Sequence, residues 1–113
     1  MVIPSVGTVV LVRFPFSDLS RSKLRPAVVL ADTGRNDWIL CQVTSQPYTD
    51  PKAVEITTAD LTSGLLRKTS YARSGKLFTA NAGIMPKQIG ELKSEKLEET
   101  IRAVISLLEK SIV

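Results

Sequence analysis

The sequence predicts a mainly β fold, a small barrel or sandwich of short strands closed by one C-terminal helix. Three observations carry this: a β-branched and aromatic run near the start, further short apolar runs separated by turn-forming clusters, and a change to helical spacing near the end. At 113 residues the chain has the commonest size of one domain, so residues 1–113 are expected to share a single core.

The elements follow in order. Residues 8–16, TVVLVRFPF, put Val10, Val12, Phe14 and Phe16 on one face of a first strand. The polar segment 17–23, SDLSRSK, reads as an exposed hairpin loop. Pro26 opens PAVVLA, a second strand over 26–31, where a proline at the first position loses no ladder bond. Asp32 to Asp37 form a turn, with Asn36 and Asp37 supplying its chemistry. In WILCQVTS, Trp38, Leu40 and Gln42 share one face of a third strand and Ile39, Cys41 and Val43 the other.

After QPYTDP comes a short strand, AVEIT, and then a polar stretch, 58–68, expected to hold one helical turn at 59–63 ending near Gly64. Residues 69–79, TSYARSGKLFT, read as a fifth strand interrupted at Gly75 by a bulge or a close backbone approach. The last element is an amphipathic helix over 95–110 with Ser94 as its N-cap and Glu95 and Glu98 in its first turn. Leu97, Ile101, Val104, Ile105 and Leu108 form its core face; Lys96, Glu99, Arg102, Ser106 and Glu109 form a solvated one.

Composition excludes several chemistries. With no histidine and one cysteine, the usual zinc cages cannot be assembled. Histidine is also the usual general base near neutral pH, so a conventional catalytic triad is excluded. The start MVIPSVGTVV carries no secretory signal, and no apolar run nears the ~20 residues of a membrane span, so a cytoplasmic protein is expected. The net charge of +4 has a location: residues 1–76 hold 10 Lys and Arg against 6 Asp and Glu, whereas 77–113 hold 5 of each. With a pI near 9.5, this is the electrostatic footprint of a nucleic-acid binder.

Three blocks, in one order, resemble a known family. GTVVLVRFPFSDLSRSKLRPAVVLA, CQVTSQ and SYARSGKLFTANAGIM are similar to segments of the PemK/MazF toxins of bacterial toxin-antitoxin pairs, and the likeness runs on through an Ile-Gly-x-Leu turn at 89–92 into the closing helix. The resemblance implies an SH3-like barrel of about five to seven strands with a C-terminal helix, working as a homodimer. It also implies a sequence-specific endoribonuclease, needing neither metal nor cofactor, that cuts single-stranded RNA through attack of the ribose 2'-OH on the adjacent phosphate. A cognate antitoxin with an acidic segment would neutralise it. By the same resemblance the catalytic arginine and threonine match Arg25 and Thr44.

An arginine fork with a hydroxyl donor suits the charge that gathers on a phosphorane. Arg21, Lys23, Ser45, Gln46, Arg73 and Lys76 are the expected RNA contacts, with the loop 17–24 over the substrate. Two departures stand out. Some relatives carry a carboxylate two residues after the third-block arginine, where this chain has Gly75 after Arg73 and Ser74, and Arg13 occupies a first-strand position that is often acidic. The proton acceptor is therefore unassigned.

Plainer roles stand beside each of these. Arg25 reads equally as a surface cation, Thr44 and Ser45 as turn formers, and Arg73 and Lys76, with Arg67 and Lys68, as a solvated cluster. Trp38, Tyr48 and Tyr71 are flat enough to stack on bases, though Trp38 within an apolar run suits the core and Cys41 an inert interior. Two other functions fit the fold: a toxin that binds a protein such as gyrase and cuts nothing, and a barrel that binds nucleic acid without catalysis.

Overall fold

The alternating apolar runs are realised as a seven-stranded antiparallel sheet that curls into a half-barrel, with one helix laid against it. The computed structural model describes residues 3–15, 22–46 and 50–112. In chain order the strands are β1 (Thr8–Pro15), β2 (Ser22–Gly34), β3 (Asp37–Thr44), β4 (Val54–Ile56), β5 (Leu61–Gly64), β6 (Ser70–Asn81) and β7 (Lys87–Leu92), followed by the helix α1 (Ser94–Glu109). Across the sheet they run β4-β6-β3-β2-β1-β7-β5.

Successive side chains leave a strand on opposite faces, and here both faces carry apolar clusters. Val9, Val28, Leu30, Cys41, Val43, Ile56 and Ala72 lie on the face that Leu97, Ile101, Ala103 and Val104 of α1 cover. Val10, Val12, Ala27, Val29, Leu40 and Ala80 lie on the other, with Met85, Trp38 and Phe78 packed on them. The faces expected for Leu40, Trp38, Cys41 and Val43 are those found. Burial pushes the Cys41 thiol up to about 12, so it stays a neutral core group.

Several boundaries differ from the sequence reading, each for a local reason. β2 starts at Ser22, so Lys23 and Leu24 belong to the strand rather than to a loop, because Pro15–Ser22 to Val12–Arg25 is already paired. Pro26 is therefore internal; the β3 ladder starts only at Ala27, which lets the strand tolerate a residue without an N–H. The turn to β3 is made by Arg35 and Asn36, both at positive φ (55° and 67°), with Gly34 before them at 95°. This is the backbone of a tight hairpin turn. Asp37 is already in β3, where its carbonyl accepts from Thr33 Oγ1 at 3.0 Å.

Residues Thr58–Asp60 form one 3-10 turn, closed by Asp60 Oδ2 accepting from the Thr57 N–H at 2.8 Å. The helical turn expected over 59–63 ends there, because 61–64 pairs with β7 as a strand. Gly64 consequently serves as a strand crossing, not as a helix terminus. The Ile-Gly-x-Leu segment at 89–92 is likewise part of β7 rather than a turn. Lys93, not Ser94, is the N-cap of α1; its N–H donates to the Asp60 carbonyl at 2.8 Å. Ile105 and Leu108 are 43% and 58% exposed, so the buried stripe of the helix is narrower than its spacing suggested, with Ala103 taking a place in it.

Gly64, at φ +90°, presses against Gly90 and the Ile89 carbonyl, leaving no space for a Cβ, whereas Gly34 at φ +95° faces open space. Both substitutions to alanine incur the left-handed strain of about 1–2 kcal/mol, and only Gly64→Ala adds a clash. We expect Gly64→Ala to lose about 3 kcal/mol or more and Gly34→Ala about 1. Urea denaturation reads both; equal losses would contradict the close crossing of β5 and β7.

Candidate functional site

One face of the sheet changes character along its length. On β3 the side chains of that face run Trp38, Leu40, Gln42, Thr44; on β2 they run Val29, Ala27, Arg25, Lys23. The apolar residues belong to the second cluster, and the polar ones follow where that cluster ends. Arg25 lies across from Val12 of β1, and Gln42 across from Ala27 of β2. Continuing that register by two residues on each strand brings Arg25 and Thr44 to the same end of the same face. Arg25 is half-buried and Lys23 exposed.

β6 completes the polar end. Thr44 pairs with Tyr71, and Tyr71 pairs in turn with Glu55 of β4, so Thr44, Tyr71 and Glu55 share this face. Between the pairs Cys41–Leu77 and Val43–Ala72 the register jumps: Gln42 alone stands opposite the four residues 73–76. This is the interruption expected around Gly75. Arg73 and Lys76 lie in this stretch, outside the regular ladder, while Ser74 is buried.

The hydroxyl of Thr44 is oriented. Its Oγ1 accepts from the Gln46 backbone N–H at 3.1 Å, which is the turn-forming role, and this use of a lone pair leaves the hydroxyl proton to donate. Ser45 and Gln46 are exposed beyond it. Arg73 is half-buried and its Nε donates to Asp50 Oδ2 at 3.0 Å. Chiefly through that bond, and also through the Lys52 N–H at 3.1 Å, the Asp50 carboxyl is held below the ordinary aspartate value against a smaller opposing effect of burial. Arg73 therefore presents a guanidinium with one edge already fixed.

Strand register thus puts Arg25, Lys23 and Thr44 at one end of one face, with Arg73 and Lys76 in the irregular stretch of β6 that follows Tyr71 and with Ser45 and Gln46 exposed beyond Thr44. Arg21, the loop 17–21 and Tyr48 lie outside the described residues. Trp38 is in the core cluster, with its Nε1 buried and unpartnered. Arg67 and Lys68 are exposed in the segment leading into β6. Two carboxylates at the site, Asp50 and Glu55, were not singled out from the sequence. Glu55 had a signal there: in AVEIT the alternation leaves it the one polar residue between Val54 and Ile56, both of which are buried. Asp50 had none, since its partner is 23 residues away. Among the described residues no cluster of Cys, Asp and Glu is arranged to hold a metal ion, and no helix is long and apolar enough to cross a membrane.

The sequence pattern of the PemK-like, MazF-like toxins of type II toxin-antitoxin systems matches residues 5–108. The chain belongs to that family. Solved MazF structures share the fold across nearly the whole chain. The MazE-MazF crystal structure from Deinococcus radiodurans is 21% identical, with a TM-score of 0.75 over 96% of this chain and 97% of that one. The Mycobacterium tuberculosis toxin MazF-mt6 is 15% identical, with a TM-score of 0.70 over 90% and 96%. A mycobacterial endoribonuclease in complex with its cognate antitoxin is 18% identical, with a TM-score of 0.68 over 96% and 95%. Among curated proteins none matches the sequence.

In this MazF-like toxin the Asp50–Arg73 pair predicts a pH dependence. The folded-state value of Asp50 is lowered, so the pair stabilises the fold fully above the unfolded aspartate value of about 3.9. That contribution is lost as pH falls through the lower folded value. The side chains are 19% and 30% exposed, so solvent screening limits it, and Asp50→Asn should cost about 0.5–1 kcal/mol at neutral pH. Urea denaturation of both proteins at neutral and acidic pH checks this: the difference should close in acid, and one that persisted there would assign the loss to something other than the ion pair.

Proposed function

We propose that this toxin is a sequence-specific endoribonuclease acting on single-stranded RNA by 2'-OH transesterification, inhibiting translation and growth until a cognate antitoxin binds it. The observation that carries the reading is the meeting of Arg25, from β2, and the hydroxyl of Thr44, from β3, at the polar end of one sheet face. Arg25 stabilises the phosphorane and donates towards the leaving oxygen; Thr44, whose hydroxyl proton is left to donate, bonds the phosphate. Arg73 and Lys76 hold flanking phosphates, Lys23, Ser45 and Gln46 line the approach, and Arg21, which precedes β2 in the chain, adds a further RNA contact. The substrate's own 2'-OH is the nucleophile, which accounts for RNA rather than DNA and removes the need for an activated serine or cysteine.

Family membership supports the toxin role, and the mycobacterial relative described as an endoribonuclease supports the chemistry. Complexes of MazE with MazF, and of that endoribonuclease with its antitoxin, support an antitoxin partner for this chain. A basic face of this kind suits a partly disordered acidic segment laid across it. The working form is a homodimer in the cytoplasm, one domain per chain, and no cofactor or metal is used.

The purified protein, incubated with mixed-sequence RNA in EDTA, should give fragments ending in 2',3'-cyclic phosphate and 5'-OH. Arg25→Ala should lower kcat/KM by about 10²–10³. Absence of any such fragment from the wild type, with RNA binding retained, would point to a non-catalytic binder, and wild-type cutting by Arg25→Ala would displace Arg25 from the reaction.

A further inference from the structure

The 2'-OH must lose a proton as it attacks phosphorus, and this chain has no histidine to take it. Among the described residues the carboxylates divide by position. Asp32 and Asp37 flank the β2–β3 turn, at the far end of β3 from Thr44. Asp60 is bonded to Thr57, Glu91 to Thr62 across β5 and β7, and the remaining glutamates lie on α1, which covers the opposite face of the sheet. Only Asp50 and Glu55 are at the polar end. Asp50 is already engaged, accepting from Arg73 at 3.0 Å and from the Lys52 N–H at 3.1 Å.

Glu55 is exposed and stands in a transverse row. Its pairing with Tyr71, and Tyr71's pairing with Thr44, align three side chains across β4, β6 and β3, and the Ala27–Gln42 register continued by two residues puts Arg25 on β2 in the same row. Adjacent strands are about 4.8 Å apart, so Thr44 and Glu55 are separated at the backbone by about 10 Å, with Arg25 one strand further. That spacing is room for one phosphodiester and its ribose between two long side chains reaching inward. A phosphate held against Arg25 and Thr44 would put its 2'-OH over Tyr71 towards Glu55.

On the ribonuclease reading above, we propose that Glu55 is the catalytic proton acceptor for the attacking 2'-OH, with Tyr71 as the surface that positions the ribose. In the step, the 2'-O–H bond breaks and its proton passes to the Glu55 carboxylate as the 2'-oxygen bonds phosphorus. The P–O5' bond then breaks, the 5'-oxygen takes a proton from water, and Glu55 returns its own to solvent. Atoms and charge balance without a co-reactant. The charged and titratable groups near Glu55 are Tyr71 and Arg73 from β6, and Asp50 and Lys52 from the turn before β4, with Lys110 at the end of α1 beside Lys52. The cations among these groups favour an RNA backbone here.

Cleavage of RNA by the wild type, Glu55→Gln and Glu55→Asp is measured from about pH 4 to pH 9. Binding of an uncleavable 2'-deoxy oligonucleotide reports that each variant is folded. Glu55→Gln should lower kcat/KM by about 10²–10⁴, with binding of the deoxy analogue retained, and should abolish the fall in rate towards acid. Glu55→Asp should restore part of the rate and the acid limb with it. A wild type that cuts RNA while Glu55→Gln cuts equally well, or keeps the same acid limb, overturns this inference alone. A wild type that cuts no RNA overturns the ribonuclease reading and the inference together.

Discussion

Because β3 is buried from both sides, with Leu40 and Cys41 at 0% exposure on opposite faces, slipping it one residue against β2 or β6 would exchange two packed clusters. That register constraint is what the rest of the molecule depends on. It fixes which face Gln42 and Thr44 occupy, and it does so at the end where the apolar cluster of that face runs out. The same period of two sends Arg25 to that face from β2, since Ala27, two residues on, is part of the cluster. A packing requirement thereby positions polar groups that contribute nothing to the core.

The break in the β3–β6 ladder does the complementary work. Were the two strands regular, a single residue of β6 would face Gln42. The extra residues 73–76, with Arg73 and Lys76 among them, instead interrupt the ladder next to the Thr44–Tyr71 pair. They also set Gly75 against α1, where a side chain's Cβ would stand 3.6 Å from Leu107. The helix thus packs against the irregularity. The Asp50 bond to Arg73 ties the segment preceding β4 to the same place, and β4 is the strand that carries Glu55.

The sequence made legible whatever was written as alternation. TVVLVRF, AVVLA and WILCQV declared their strands and faces, and Gly75 announced the irregularity in β6. What it hid was structure made by pairing rather than by pattern. Ser22 to Arg25 are polar but for Leu24, and they are strand because β1 lies alongside them; Leu61 to Gly64 alternate poorly, and they are strand because β7 does. Of the site, Arg25, Thr44, Arg73 and Lys76 could be named through the family resemblance. The alternation of AVEIT marks Glu55 as outward-facing, but only its register with Tyr71 puts it in line with Thr44, and Asp50 shows only through its contact with Arg73. The excess positive charge and the missing histidine, both plain from composition, became specific once strand register put Arg25, Lys23 and the exposed Glu55 at one end of one face.

The central claim is that the polar end of this face receives the RNA, and the most direct measurement is a map of backbone amide shifts on adding a 2'-deoxy oligonucleotide that binds without being cut. Perturbation is expected at Arg25, Thr44, Tyr71, Arg73 and Glu55, with the β2–β3 turn at Arg35 and Asn36 and the outer side of α1 unmoved. Shifts concentrated on α1 or at that turn, with Arg25 and Thr44 silent, would contradict it.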